Sequence, residues 1–314
     1  MPTTVQARST ESRPPAPRTF SGATTAVAKD LGRLVLQCGD RPGIIAAVSQ
    51  FLADYDANIV ESDQATTDPE SGRFFLRMTF RRVDLTVHLA DIEKNFELSL
   101  ADKFEDVQWQ FTEAAIPKRV AIMASKTDHC VLDLLWRARR GELPIDIGLV
   151  VSNHPDLAQD VRSFGVPFVH IPVDRKDKAA AEEKQLQLLS GNFDLVVMAR
   201  YMQILSADFL DRIGCPVINI HHSFLPAFAG AGPYEQAKGR GVKLIGATAH
   251  YATQDLDEGP IIEQDVVRVS HALDVAALTR RGADVERAVL TRAVQWHCED
   301  RVLRYGNSTV VFAR

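Results

Sequence analysis

The stretch PVINIHHSFLPAF (216–228) runs from apolar, strand-like residues straight into Asn219, His221 and His222, and then into a proline-containing loop. On a strand, Val217, Asn219 and His221 share one face while Ile218, Ile220 and His222 share the other. Asn219 and His221 therefore project together from the carboxyl end of a buried strand, where polar side chains are out of place unless something uses them.

The surrounding chain says what kind of sheet holds that strand. Strand-like runs at 119–125 (RVAIMAS), 145–152 (IDIGLVVS), 167–173 (PFVHIPV), 193–199 (FDLVVMA) and 216–222 (PVINIHH) alternate with helical runs near 129–140, 156–164, 178–190 and 206–213. Such alternation predicts a Rossmann-like, mainly parallel α/β sheet with helices on both faces. Ligands of these sheets bind at the carboxyl ends of the strands, which is where Asn219 and His221 stand. Beyond them follow IGATAHYA (245–252), IIEQDVVRV (261–269), a long helical segment near 282–300 and a closing strand-like STVVFA.

A different rhythm occupies the first third. RLVLQC (33–38) reads as a strand, Pro42 of DRPG (40–43) stands where a helix begins, and Ile44, Ala47, Val48, Phe51, Leu52 and Tyr55 repeat at helical spacing. After NIVESDQATT (58–67), the run RFFLRMTFRR (73–82) puts Phe74, Leu76, Met78 and Phe80 on one face and Arg77, Thr79 and Arg81 on the other. A helical stretch near 85–104 and DVQWQF (106–111), with Val107, Trp109 and Phe111 inward, complete a ferredoxin-like βαββαβ order. The division expected is a disordered tail (1–29), a first domain (30–113), a linker (114–118) and a second domain (119–314); the tail's Thr, Ser, Ala, Pro and Arg also suit an organellar targeting segment.

Composition narrows the function classes. A chain of 314 residues accommodates two cores, and 46% hydrophobic residues with a net charge of −5 give no basic face for nucleic acid. No apolar run approaches the ~20 residues that span a bilayer, and no secretory signal is visible, so a soluble cytoplasmic protein without membrane partners is expected. The four cysteines form no CxxC pair, and reduced thiols are expected.

Chemically, an amide and an imidazole side by side can both donate to one developing oxyanion, as acyl transfer requires. Read alone, the pair more ordinarily fits an Asn219 that ties down a loop and a His221 satisfied within the core. HYATQDLDEGPII (250–262) supplies Asp255, Asp257 and Glu258 in a polar turn, and a carboxylate there could activate water if burial raised its pKa toward neutrality. No metal is expected: the histidines and cysteines make no established ligand set, and the adjacent His221 and His222 should point to opposite faces.

Two resemblances sharpen this. CGDRPGIIAAVSQFL (38–52) with the βαββαβ order resembles the ACT domains, which implies an amino-acid effector near Asp40, Arg41, Pro42, Gly43 and Ile44, with glycine or methionine as candidates, and homo-oligomer assembly through this unit. MASKTDHC (123–130), ARYMQILS (199–206), INIHHSFLPAF (218–228) and VKLIGATAHY (242–251), followed by the DLDEGP turn, resemble the folate-dependent formyltransferase superfamily, most closely its formyltetrahydrofolate deformylase branch. That resemblance implies hydrolysis of 10-formyltetrahydrofolate to tetrahydrofolate and formate, supplying formate for purine synthesis and balancing one-carbon folate pools. It also implies catalysis by Asn219, His221 and Asp257, and folate contacts from Arg200, Met202, Gln203, Ile204, Leu205, His250 and Thr253. No cofactor is implied, the folate being the substrate. Ser223 reads as a hydroxyl that shapes the loop.

Water as acceptor is favoured by ASKTDHC (124–130), which lacks the glycines of a phosphate-binding loop and adds the negative charge of Asp128. The competing readings are a folate or amino-acid sensor without turnover and a formyltransferase with an unidentified acceptor. One departure stands out. Where the deformylases carry an FKGAKPYHQA-like loop, this chain has FAGAGPYEQA (228–237), with Ala229, Gly232 and Glu235 in place of two lysines and a histidine.

Overall fold

The computed structural model describes residues 29–68, 72–174, 176–227 and 232–313. The expected tail, except Lys29, and the loop residue Ala229 lie outside the described residues. No helix among the described residues is long and apolar enough to cross a membrane.

The first unit contains β1 (Leu31–Gly39), α1 (Ile44–Asp54), β2 (Asn58–Thr66), β3 (Arg73–Arg81), α2 (Leu85–Ser99) and β4 (Gln108–Glu113). They form an antiparallel sheet in the order β2-β3-β1-β4. Helix α1 starts two residues after Pro42, because Gly43 sits at φ 93, outside helical space, and ends the preceding turn. Helix α2 stops at Ser99 and a 3-10 turn at Ala101–Lys103 follows, so the expected run to 104 is two pieces. Leu34, Leu36, Leu76, Met78 and Phe80 pack with Val48, Leu52, Ile92 and Phe96 from the helices into a single core. Burying each such side chain contributes roughly 1.5–3 kcal/mol.

The polar face of β3 is not a solvated face. Arg77 is 2% exposed and Thr79 is also buried, while only Arg81 is open. Arg77 donates to the carbonyl of Glu299 at 3.1 and 3.3 Å and pairs with Glu61 at 3.3 Å; Arg33 meets Asp300 at 3.2 Å. Arg301, from the far end of the chain, shares Glu61 at 3.6 Å, and the Phe75 ring meets Tyr305 edge-on at 5.8 Å. The second face of this sheet is thus an interdomain seam, which period-two reading of one strand cannot reveal.

The second unit comprises β5 (Lys118–Ala124), α3 (His129–Arg139), β6 (Ile145–Ser152), α4 (Ala158–Ser163), β7 (Phe168–His170), α5 (Lys178–Leu189), β8 (Leu195–Ala199), α6 (Ala207–Arg212), β9 (Val217–His221), α7 (Pro233–Arg240), β10 (Leu244–Tyr251), β11 (Ile261–Arg268), α8 (Val275–Cys298), β12 (Val302–Tyr305) and β13 (Ser308–Val311). The seven-stranded sheet runs β11-β10-β9-β8-β5-β6-β7. Its strands are parallel from β9 to β7, with β10 and β11 antiparallel at the other edge. One core packs α3, α4 and α8 on one face, and a second packs α5 and α6 on the other.

Helix α8 begins seven residues before the expected 282, because the Asp274 side chain accepts from the Ala277 amide and caps it. Gly282 inside it hid that start from a propensity reading. The short α7 went unread because its PYEQAKGR carries little apolar pattern.

Candidate active site

Strand β9 lies between β8 and β10, and its antiparallel register with β10 sets Asn219 opposite His250 and His221 opposite Thr248. A register shift at Ala249/His250 leads into the loop that carries Asp257. That loop folds back on β10: a Cβ at Gly259 would lie 1.8 Å from the Tyr251 carbonyl oxygen, so only glycine fits there. Asp257 itself occupies the left-handed region at φ 59, which aspartate tolerates better than most side chains.

These constraints bring the three expected groups together. His221 Nδ1 is 3.2 Å from Asp257 Oδ1, and His250 Nε2 is 3.8 Å from the same oxygen. Asn219 Nδ2 lies 3.1 Å from His250 Nε2, and His250 Nδ1 lies 3.0 Å from the Tyr251 carbonyl oxygen. A carbonyl accepts only, so His250 Nδ1 carries the proton. Burial lowers the His250 pKa, which keeps the ring neutral with Nε2 as an acceptor. The Asn219 amide must then turn its NH2 toward His250, leaving its second N–H for another partner. His221 Nε2 is buried without a protein partner.

Asp257 departs from expectation. Burial pushes its carboxyl up, but the hydrogen bond and charge of His221, with the charges of His250 and His222, outweigh burial and hold it below its ordinary value of 3.8. It is a carboxylate at neutral pH, not a group poised near 7. The two neighbouring histidines also depart from strict alternation: their ring centroids are 5.2 Å apart at 50°, and both line one cavity. β9 ends at His221, so the strand's period no longer governs His222. Burial, reinforced by Arg200, lowers the His222 pKa to about 4.

The cavity, about 240 Å³, is lined by Asn219, His221, His250 and Asp257 together with Met202, Gln203, Ile204, Leu205 and Thr253. Met202 and Ile204 are each 55% exposed and form an apolar lip, and Leu205 is buried behind them. Tyr201, Leu256 and Asp255 also line it. Ser125 Oγ accepts from the Met202 amide at 3.0 Å and so ties this loop to the end of β5. Ser223 Oγ donates to the Ala227 carbonyl at 2.7 Å, as a loop-shaping hydroxyl should.

Arg200, expected to contact the folate, is not among the lining residues. Its side chain turns inward, with Nε 3.5 Å from Glu286 Oε2. Glu286 also meets His129 Nε2 at 2.8 Å and accepts from Tyr234 Oη at 2.6 Å. Burial raises the Glu286 carboxyl, yet His129, Arg200 and Tyr234 more than offset this and hold it at about 2. His129, Cys130 and Glu286 place ligand-type atoms within 4.8 Å of one another, but a guanidinium beside that carboxylate opposes a second cation. The one sequence signal for this cluster was a glutamate on the apolar face of α8, between Val285 and Val289.

Of the effector candidates, Asp40 is engaged by Thr66 Oγ1 at 2.6 Å and Ile44 is buried in the first core. Arg41, Pro42 and Gly43 are exposed at the turn. In the loop that departs from the deformylase pattern, Gly232 sits at φ 65 before α7, and Glu235 falls in that helix's first turn.

A doubly wound sheet that gathers an amide, an imidazole and a carboxylate at one strand end, joined to an antiparallel βαββαβ unit, defines a formyl transferase fold carrying an ACT domain. In agreement, residues 118–294 match the formyl transferase family and residues 32–97 the ACT domain family. The chain is 64% identical over 283 residues to the formyltetrahydrofolate deformylase of Mycobacterium tuberculosis (strain CDC 1551 / Oshkosh), covering 90% of this chain and 91% of that one. It is 50% identical over 285 residues to the formyltetrahydrofolate deformylase of Bacillus subtilis (strain 168), covering 90% and 94%. The crystal structure of a formyltetrahydrofolate deformylase from Pseudomonas syringae pv. tomato superposes with a TM-score of 0.85 at 48% identity, over 90% of this chain and 94% of that one. The glycinamide ribonucleotide transformylase 1 of Symbiobacterium toebii shares the second unit, with a TM-score of 0.58 at 29% identity over 66% and 98%. The chain belongs to the formyltetrahydrofolate deformylase family.

Proposed function

We propose that this chain hydrolyses 10-formyltetrahydrofolate to tetrahydrofolate and formate, with Asn219, His221 and Asp257 carrying the reaction. The observation that carries the reading is the shared cavity in which a carboxylate, an imidazole bonded to it and an amide with one N–H to spare all face the same space.

The formyl oxygen takes hydrogen bonds from the free Asn219 N–H and from Nε2–H of His221 in its imidazolium form, which Asp257 supports through Nδ1. Asp257, ionised at neutral pH, orients a water and accepts its proton as the oxygen attacks the formyl carbon. Collapse of the tetrahedral intermediate breaks the C–N10 bond, and His221 gives its proton to N10. Proton transfer from Asp257 to the ring across the 3.2 Å contact restores the starting state, and the formic acid formed gives its remaining acidic proton to solvent as it leaves as formate. No serine or cysteine nucleophile is required. The apolar lip of Met202 and Ile204 suits a flat heteroaromatic ring.

In this reading the ACT-like unit binds an amino-acid effector, glycine or methionine, at the exposed Arg41–Gly43 turn and joins chains into a homo-oligomer. Following formate and tetrahydrofolate from 10-formyltetrahydrofolate, with and without glycinamide ribonucleotide, tests the activity. Tight folate binding without formate release would mean a sensor, and formate production abolished in favour of a formylated ribonucleotide would mean a transferase.

A further inference from the structure

Arg200 is the first residue after β8 and sits at φ 61, a left-handed conformation that a long side chain rarely adopts. Its Nε and Nη1 are buried without a hydrogen-bond acceptor. Backbone strain and two unmet donors offset part of what the ion pair with Glu286 contributes, and residues held at such a cost cluster where position itself has a use.

That position is the topological switch point of the sheet. β6 and β7 extend from β5 to one side while β8 and β9 extend to the other, so the crevice between the ends of β5 and β8 is where a doubly wound sheet ordinarily receives a ligand. Here side chains fill it: Arg200 from the end of β8, His129 from the start of α3, Tyr234 from α7 and Glu286 from α8, all converging on one carboxylate. His222 lines the reacting cavity beside His221, and its ring lies 5.9 Å from that of Tyr234. The filled crevice is therefore the layer directly behind the reacting groups.

We propose that Arg200 determines the acceptor: its side chain occupies the place where an amine-bearing second substrate would reach the formyl carbon, and so leaves the reaction to water. This rests on the hydrolytic reading above and adds to it the residue that excludes group transfer. Without the guanidinium, Glu286, still held by His129 and Tyr234, would turn its remaining lone pairs toward the space Arg200 vacates, a surface suited to acceptors bearing ammonium or hydroxyl groups. In the transfer reaction the amine nitrogen would bond to the formyl carbon, the C–N10 bond would break, and N10 would take the proton the amine loses.

The test is the partition of the formyl group in R200G, a substitution that φ 61 favours, with glycinamide as acceptor and mass spectrometry to count formate against N-formylglycinamide. The wild type should give formate only, whereas R200G should raise the ratio of formylated amine to formate at least tenfold, and R200K, which keeps a long cation, should stay with the wild type. A folded R200G that hydrolyses and never formylates the amine overturns the proposal. Should R200G fold but lose turnover, calorimetric titration with glycinamide ribonucleotide in the presence of tetrahydrofolate decides it: binding absent from the wild type and gained by the variant supports the plug, and no binding overturns it. Failure of the hydrolytic reading would show separately, as a wild type that releases no formate.

Discussion

His221 Nδ1 lies 3.2 Å from Asp257 Oδ1, while Nε2 of the same ring is buried without a protein partner. One ring nitrogen is held by the carboxylate and the other is left for a ligand. If this division of labour carries the reaction, Asp257→Asn and His221→Ala should each lower kcat by about 10²-fold or more, with far smaller changes in KM. Near-normal turnover in purified, folded Asp257→Asn would refute the assignment and make Asp255 the next carboxylate to test.

His250 should act by aiming Asn219. Replacing it with leucine removes the acceptor that fixes the amide's orientation, and loss of one such hydrogen bond corresponds to about tenfold in rate. The expected result is a fall in kcat with KM little changed. An unchanged kcat would show that Asn219 is positioned by something else.

Acid should weaken the fold in two stages. His222 and His297 are each held at about 4, chiefly by burial, against an ordinary 6.5. Because the folded state binds fewer protons than the unfolded one, their contribution is complete above 6.5 and is lost as pH falls to about 4, up to about 3 kcal/mol each. Glu286, held at about 2, contributes fully above 4.5 and loses that contribution between 4.5 and 2. Thermal midpoints measured from pH 7 to pH 3 should fall across both windows, and His297→Gln should flatten the upper one. A midpoint that stays constant from pH 6.5 to 4 would contradict this account.

Gly282→Ala should destabilise the protein although alanine is the better helix former. Its Cβ would lie 1.8 Å from Tyr234 Oη, forcing the ring off Glu286. The overpacking cost of about 1–3 kcal/mol exceeds the ~1 kcal/mol gained in helix propensity. Equal or higher stability of the variant in urea unfolding would show that Tyr234 yields without loss.

The interdomain seam should matter to both halves. Arg77→Ala removes one of the two guanidinium partners of Glu61, leaving Arg301 at 3.6 Å, together with the bonds to the Glu299 carbonyl, and loss of charged hydrogen bonds of this kind costs about 1.5–3 kcal/mol. For the same reason a fragment starting at Pro117, which keeps every proposed catalytic group, should melt well below the full chain. Titrating glycine and methionine against kcat and KM of both forms checks the effector: sensitivity retained by an active fragment would place that site in the second unit.

The sequence by itself determined the element order of the first unit and, apart from the short α7 and β12, of the second, because two local periods, 2 for strands and 3.6 for helices, recur wherever a segment buries one face or alternates between buried layers. It also determined the strand end that presents Asn219 and His221, since a side chain's face along a strand is a local property. Tertiary structure decided everything that depends on which segments meet. The β10 register set His250 against Asn219, the loop closure at Gly259 brought Asp257 to His221, and the proximity of three histidines reversed the expected direction of the Asp257 pKa. Burial of Arg77 and the turn of Arg200 toward Glu286 were likewise invisible in a linear pattern, because each guanidinium finds a partner far along the chain, the Glu299 backbone carbonyl for one and the Glu286 carboxylate for the other. A buried charge is specified by the groups that neutralise it, and those are assembled only when the chain folds.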